Sequence, residues 1–194
     1  MTEDSLDRQL TFLIEIDALK SVIRQSVLAN RSRRENSAEH SWHLAMFALV
    51  LSEADPALDV AKIVAMLLIH DIVEIDAGDA PIHAAYDAAA LMQAEDAAAK
   101  RIFGLLPETQ QKKFLSLWRE FEAAETAEAR FAKAVDRLQP LLLNTLTGGG
   151  TWASNGVTED QVYDRYGPTI ERGSPALWSR ARALVRKHFA AAED

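Results

Sequence analysis

Apolar side chains recur along this chain every three or four residues, and nowhere do they alternate convincingly with polar ones. That periodicity predicts helix after helix. From Leu6 to Val22 the positions Leu10, Leu13, Ile14 and Leu19 keep helical spacing, and Arg31 to Glu35 then reads as a charged connector. Ser37 is placed to cap the next helix, with Glu39 in its first turn and an apolar stripe through Leu44, Phe47 and Leu51. Asp59 is the expected cap of a helix carrying Ile63, Val64, Leu67 and Leu68 up to His70, and Ala77 to Pro81 is a break. Further helices are predicted over Ala84–Phe103, from Pro107 towards Glu122, and over Ala127–Leu146, with Pro140 expected to kink or split the last. The stretch from Thr147 through Gly148-Gly149-Gly150 to Gly156 predicts a mobile surface loop. Ser174-Pro175 opens a final helix with Leu177, Trp178, Ala181, Leu184 and Val185 on one face. The class is all-α, and with no linker or repeat the 194 residues read as a single domain.

Composition agrees with helix: alanine is abundant, while only 8 glycines and 6 prolines interrupt the pattern. A net charge of −8 and a pI near 5.2 argue against gripping a nucleic acid polymer, which needs basic surface. They do not argue against a small anionic substrate, because a bound cation supplies positive charge locally. There is no cysteine, hence no disulfide framework and no thiolate metal site. The apolar run Ile63–Ile69 is too short to span a bilayer, and the start Met1-Thr2-Glu3-Asp4-Ser5 lacks the form of a signal peptide. No membrane partner and a cytoplasmic location are the expectations.

The chemistry concentrates on few residues. His70 ends a strongly apolar helix directly before Asp71, which places both at or near the core. Asp136 lies between apolar positions of a helix, on the face of Ala132, Val135 and Gln139. A buried carboxylate beside an imidazole must be satisfied, and either a metal ion or a plain His–Asp hydrogen bond does so. Spacing alone does not choose, since no short ligand motif such as His-Glu-x-x-His is present.

Three ordered strings decide more. Arg34-Glu35-Asn36-Ser37-Ala38-Glu39-His40-Ser41-Trp42-His43, then His70-Asp71-Ile72-Val73-Glu74-Ile75-Asp76-Ala77-Gly78-Asp79, then Ala132-Lys133-Ala134-Val135-Asp136-Arg137-Leu138 together resemble the motifs of the 5′-deoxynucleotidase branch of the HD-domain superfamily of metal-dependent phosphohydrolases. The resemblance covers about residues 10–142 and implies an HD-domain helical bundle, with C-terminal helices over 158–192 packed on that core. It implies His40, His70, Asp71 and Asp136 as ligands of one divalent ion (Mn, Co, Fe or Zn). A single ion is expected because His83 and His188 stand isolated, without the extra histidine pair of two-metal relatives. The resemblance also implies Glu74 and Asp79 as catalytic residues, with Arg24, Glu39 and His43 as candidate substrate contacts. The implied reaction is hydrolysis of deoxyribonucleoside 5′-monophosphates by a homodimer. The alternatives are another phosphate ester as substrate, or a non-catalytic nucleotide-binding domain on the same scaffold.

Overall fold

The computed structural model describes residues 3–191, so Met1, Thr2 and the end of the expected 158–192 helical region lie outside it. The chain opens with helix α1 (Glu3–Glu15), which tightens into a 3-10 turn over Ile16–Ser21. A short antiparallel hairpin follows, β1 (Ile23–Val27) and β2 (Arg34–Asn36), in register Ile23↔Asn36 and Val27↔Arg34. Helices α2 (Ser37–Leu51) and α3 (Val60–Ile69) come next; α3 tightens to a 3-10 turn over His70–Val73 and resumes as the single turn α4 (Glu74–Ala77). Then come α5 (Ala88–Phe103), α6 (Glu108–Ala123), α7 (Ala127–Leu146), α8 (Gly150–Asn155), α9 (Glu159–Gly173) and α10 (Pro175–Ala190). No helix among the described residues is long and apolar enough to cross a membrane.

Helix α7 is the axis of the bundle and packs against α9, α3, α10, α6 and α2. Its inward face buries Phe131, Ala132, Val135, Leu138 and Leu141. On one flank Leu44, Ile63, Met66, Leu67 and Phe121 close a core around it. On the other, Trp152, Val162, Tyr166, Ile170, Trp178 and Val185 close a second. A third core, under α1, α5 and α6, holds Phe12, Ile72, Val73, Ile102, Phe103 and Trp118. Asp59, Thr126 and Ser174 cap α3, α7 and α10, each accepting from a backbone N–H in the first turn.

Several details depart from the pattern-based expectation. The helical bundle carries a hairpin, hidden because its buried positions are polar: Ser26 and Glu35 face inward while Ile23 is exposed. The cap of α2 is Asn36, one residue earlier than Ser37; Asn36 Oδ1 accepts from Glu39 N at 2.9 Å, and Glu39 Oε2 accepts from Asn36 N at 3.2 Å. Helix α7 runs through Pro140 unbroken. The glycine-rich stretch is a turn followed by α8 rather than an open loop. Gly148, Gly149 and Gly150 take positive φ, which lets Asn144 Oδ1 accept from Thr151 N at 2.8 Å and seats Trp152 in the core. Leu10, Leu13 and Ile14 of α1 are exposed, and it is Phe12 that is buried.

Candidate metal centre and its pocket

Three elements deliver the implied ligands. His40 sits in the first turn of α2, fully buried. His70 and Asp71 occupy the 3-10 turn after α3, whose tighter winding brings two successive side chains inward. Asp136 comes from the middle of α7. The structure brings all four together. His40 Nε2 lies 3.1 Å from Asp136 Oδ1 and 4.0 Å from Asp71 Oδ2. His70 Nε2 lies 2.9 Å from Asp71 Oδ1 and 3.8 Å from Asp136 Oδ1. Ligating atoms of His40, His70 and Asp71 all fall within 4.8 Å of one another.

The far side of each imidazole is fixed. His70 Nδ1 donates to the Leu67 carbonyl at 2.9 Å. His40 Nδ1 donates to Gln139 Oε1 at 3.1 Å, and Gln139 Nε2 donates to Glu35 Oε2 at 3.0 Å, which turns the amide oxygen towards the histidine. Both rings therefore turn Nε2 inward; His40 is neutral, while the Asp71 and Asp136 carboxylates hold a proton on His70 that a bound metal ion would replace. His70 Nε2 is buried and makes no well-aligned hydrogen bond, although Asp71 Oδ1 is near. A buried ring nitrogen aimed between two carboxylates marks a place for positive charge, a proton or a cation, and two imidazoles with two carboxylates form a donor set suited to first-row divalent ions.

Negative charge is crowded here. Arg24, held by β1, has carboxylate oxygens of Asp71, Asp79, Glu35 and Glu74 at 3.1, 3.5, 3.6 and 3.8 Å. Burial pushes the Glu74 carboxyl up to about 8, with the Asp71 charge adding to it. Burial also raises Glu35 and Asp79. Asp71 is held down at about 2, because His70 and Arg24 together outweigh the cost of its burial. The imidazoles diverge. Burial, helped by Arg24, lowers His40 to about 4, whereas at His70 the Asp71 and Asp136 carboxylates overcome burial and lift it to about 10. The site thus draws positive charge to the point between Asp71 and Asp136.

Glu74, Asp79 and Arg24 line the same cavity as His70, Asp71 and Asp136, a space of about 200 Å³ also walled by Tyr86, Glu95, Lys133 and Arg137. The Ser37 hydroxyl, on the first helical residue of α2, donates to Glu74 Oε2 at 2.6 Å. A larger cavity of about 430 Å³, between α2, α7 and α10, is lined mainly by apolar side chains such as Met46, Phe47, Leu138 and Leu184 and offers little acid–base chemistry.

The remaining candidates sit elsewhere. Glu39 closes the capping box and pairs with Arg33 at 2.5 Å, facing away from the imidazoles. His43 lines the apolar cavity, edge-on to Phe47, and meets the centre only through Gln139 Nε2 at 3.3 Å from its Nδ1. His83 lies tilted against Tyr166 and His188 edge-on to Trp152, both outside the cluster. Two residues that support the centre were not singled out from sequence. Glu35 was hidden in a charged run; Gln139 carried a signal, since helical spacing puts it on the face of Asp136.

The family described as HD domain matches residues 16–178. A human protein named 5′-deoxynucleotidase HDDC2 is 33% identical over 134 residues, covering 69% of this chain and 65% of its own length. Its counterpart from Bos taurus is also 33% identical, covering 69% and 64%. The chain therefore spans slightly less than two thirds of these relatives. A crystal structure from Magnetospirillum magnetotacticum MS-1, described as a predicted metal-dependent phosphohydrolase, is 51% identical with a TM-score of 0.91, covering 97% of each chain. A structure from Pyrococcus horikoshii OT3 shares the fold at 20% identity, with a TM-score of 0.66 over 90% of this chain and 99% of its own.

Proposed function

Because the chain belongs to the HD-domain family, we propose that it is a metal-dependent phosphohydrolase whose substrates are deoxyribonucleoside 5′-monophosphates. The observation that carries this reading is the convergence of the His40 and His70 Nε2 atoms on Asp71 and Asp136, with His70, Asp71 and Asp136 lining one polar cavity beside Glu74 and Arg24. In this reading His40, His70, Asp71 and Asp136 hold one divalent ion and the whole chain acts as a single domain. When bound, such an ion lowers the pKa of water towards neutrality and offsets charge on a phosphoryl group. The chain's own residues supply the rest. Burial and the Asp71 charge raise the Glu74 carboxyl, so that it can hold or release a proton near neutrality, as a group exchanging a proton with an attacking water or a leaving oxygen must; a cation beside Asp71 would offset part of that rise. Ser37 holds its Oε2 in place. Arg24 bridges Asp71 and Asp79 and puts a fixed positive charge at the cavity wall, where an anionic substrate enters. The nucleotide preference draws on the human and bovine relatives, named 5′-deoxynucleotidases.

The reading includes a homodimer. Its support is two exposed apolar stripes, Leu6, Leu10, Leu13 and Ile14 on α1, and Trp42, Met46, Leu49 and Val50 on α2. Light scattering at micromolar concentration should give twice the chain mass; a monomer would remove this part of the reading.

The test of the activity is phosphate release from dAMP, dGMP, dTMP and their ribonucleotide counterparts with Mn²⁺, Co²⁺ or Zn²⁺, beside a panel of other phosphate esters. Release from the deoxynucleotides is expected to exceed release from the rest. Selective release from another ester would retain the chemistry and overturn the substrate; no release from any of them would overturn the enzyme.

A further inference from the structure

Helix α7 carries a second row of functional groups beside the one that bears Asp136. Arg130, Lys133 and Arg137 recur at helical spacing, and with Arg172, Pro168 and Thr169 of α9 they line a separate cavity of about 240 Å³. Four cationic side chains converge there in a chain whose net charge is −8. Their neutralisation is incomplete. Lys133 pairs with Glu122 at 3.0 Å and lies 4.1 Å above the Phe121 ring, and Arg130 donates to the Glu125 carbonyl at 2.6 Å. Among the described residues, Arg172 has no carboxylate within ion-pair distance; Arg137 has none either, though its charge acts at longer range on Asp136.

The crowding is built by the backbone. Gly173 ends α9 against α7 so closely that an added Cβ would collide with the Arg130 carbonyl and the Ala134 side chain. That approach sets Arg172 across from Arg130, and like charges side by side are unfavourable unless an anion lies between them. Guanidinium groups from both α7 and α9 on one cavity suit a tetrahedral oxyanion, each fork offering paired N–H donors. Lys133 and Arg137 also line the cavity that holds Glu74 and Asp136, so the two spaces adjoin.

We propose that the groove between α7 and α9 is a binding site for a phosphate-class anion beside the reaction centre. The anion is either a second phosphoryl group of the substrate or free inorganic phosphate, which the proposed reaction would itself release. Binding of the anion stands without the proposed hydrolysis; its tie to turnover rests on that reading.

The test uses Arg130→Gln with Arg172→Gln, which leaves untouched the residues shared with the reaction centre. Inorganic phosphate is titrated calorimetrically into the Mn²⁺-loaded full chain, wild type and double variant, with circular dichroism confirming that both are folded. Wild type is expected to take up one more equivalent than the variant, and superimposable isotherms would overturn the site. Kinetics then separate the sources. A tenfold rise in KM for nucleoside 3′,5′-bisphosphates, with KM for 5′-monophosphates unchanged, assigns the groove to the substrate. Unchanged KM for both, with a tenfold weaker inhibition by phosphate, assigns it to free phosphate. An equal rise in KM for both substrate types would place these arginines at the scissile phosphate and overturn a separate site. If neither protein turns over any substrate, the proposed activity fails while the calorimetry still decides the groove.

Discussion

Replacing Arg24 with methionine keeps most of the side-chain volume and deletes the charge that four carboxylates share. The guanidinium is only 13% exposed and its partners between 2% and 12%, so solvent screens this cluster weakly. Removing one partner of a buried ion pair costs about 3–5 kcal/mol, because the remaining charge is left uncompensated. For a chain of this length each kcal/mol is worth roughly 2–4 °C in Tm, so the melt should fall by about 6–20 °C. The sign with pH follows from Asp71. Its pKa is depressed to about 2, so the stability it contributes is complete above the ordinary carboxylate value and is lost as pH falls towards 2. The penalty for losing Arg24 is therefore largest at neutral and alkaline pH, and it shrinks below about pH 4. Urea unfolding followed by circular dichroism, at pH 8 and pH 4 with a chelator present, measures it. Saturating Mn²⁺ should recover part of the loss, since a cation between Asp71 and Asp136 offsets the same excess of charge. A penalty under about 1 kcal/mol at pH 8, or one that grows on acidification, would refute the electrostatic reasoning.

Other variants probe neighbouring parts of the site. Gln139→Leu removes the acceptor for His40 Nδ1 and the donor to Glu35, and should weaken Mn²⁺ binding roughly 10- to 100-fold in a competition titration; unchanged affinity would mean that the amide does not orient the ring. Glu74→Gln should lower phosphate release about 10²- to 10⁴-fold if Glu74 moves the proton. In chelator, the stability of wild type relative to the variant should fall as pH rises from the ordinary carboxylate value to about 8, because folded Glu74 retains a proton that the unfolded chain releases, whereas the slopes from His40 and His70 are common to both proteins and cancel in the difference. Gly173→Ala should cost about 1–3 kcal/mol through overpacking of α9 on α7, read from denaturant midpoints.

Helical spacing made α2, α3, α6, α7 and α10 legible, because each buries an apolar stripe and starts at a side-chain cap or a proline. The hairpin escaped because its inward residues, Ser26 and Glu35, are polar and look towards a polar site, which inverts the usual signature of a strand. Order in the glycine-rich turn escaped because Asn144 and Trp152 supply it, and neither announces a long-range partner in sequence. The side chains of His40, His70, Asp71 and Asp136 lie together, yet residue types alone favoured ordinary hydrogen-bonded core residues over a metal site. The shared role of Arg24 was beyond any local pattern: its carboxylates come from β2, from the turn after α3, from α4 and from the segment after it. Glu39 shows the opposite limit, since a residue next to a ligand in sequence is turned by the helix to serve as part of its cap.

The most direct test of a cation held by His40, His70, Asp71 and Asp136 is metal stoichiometry. Purified wild type, Asp71→Asn and Asp136→Asn would be dialysed against Mn²⁺ and analysed by inductively coupled plasma mass spectrometry. The account predicts one equivalent of Mn²⁺ per chain in wild type and less than a tenth of that in either folded variant. Equal metal content in all three proteins, or none in wild type, would contradict it.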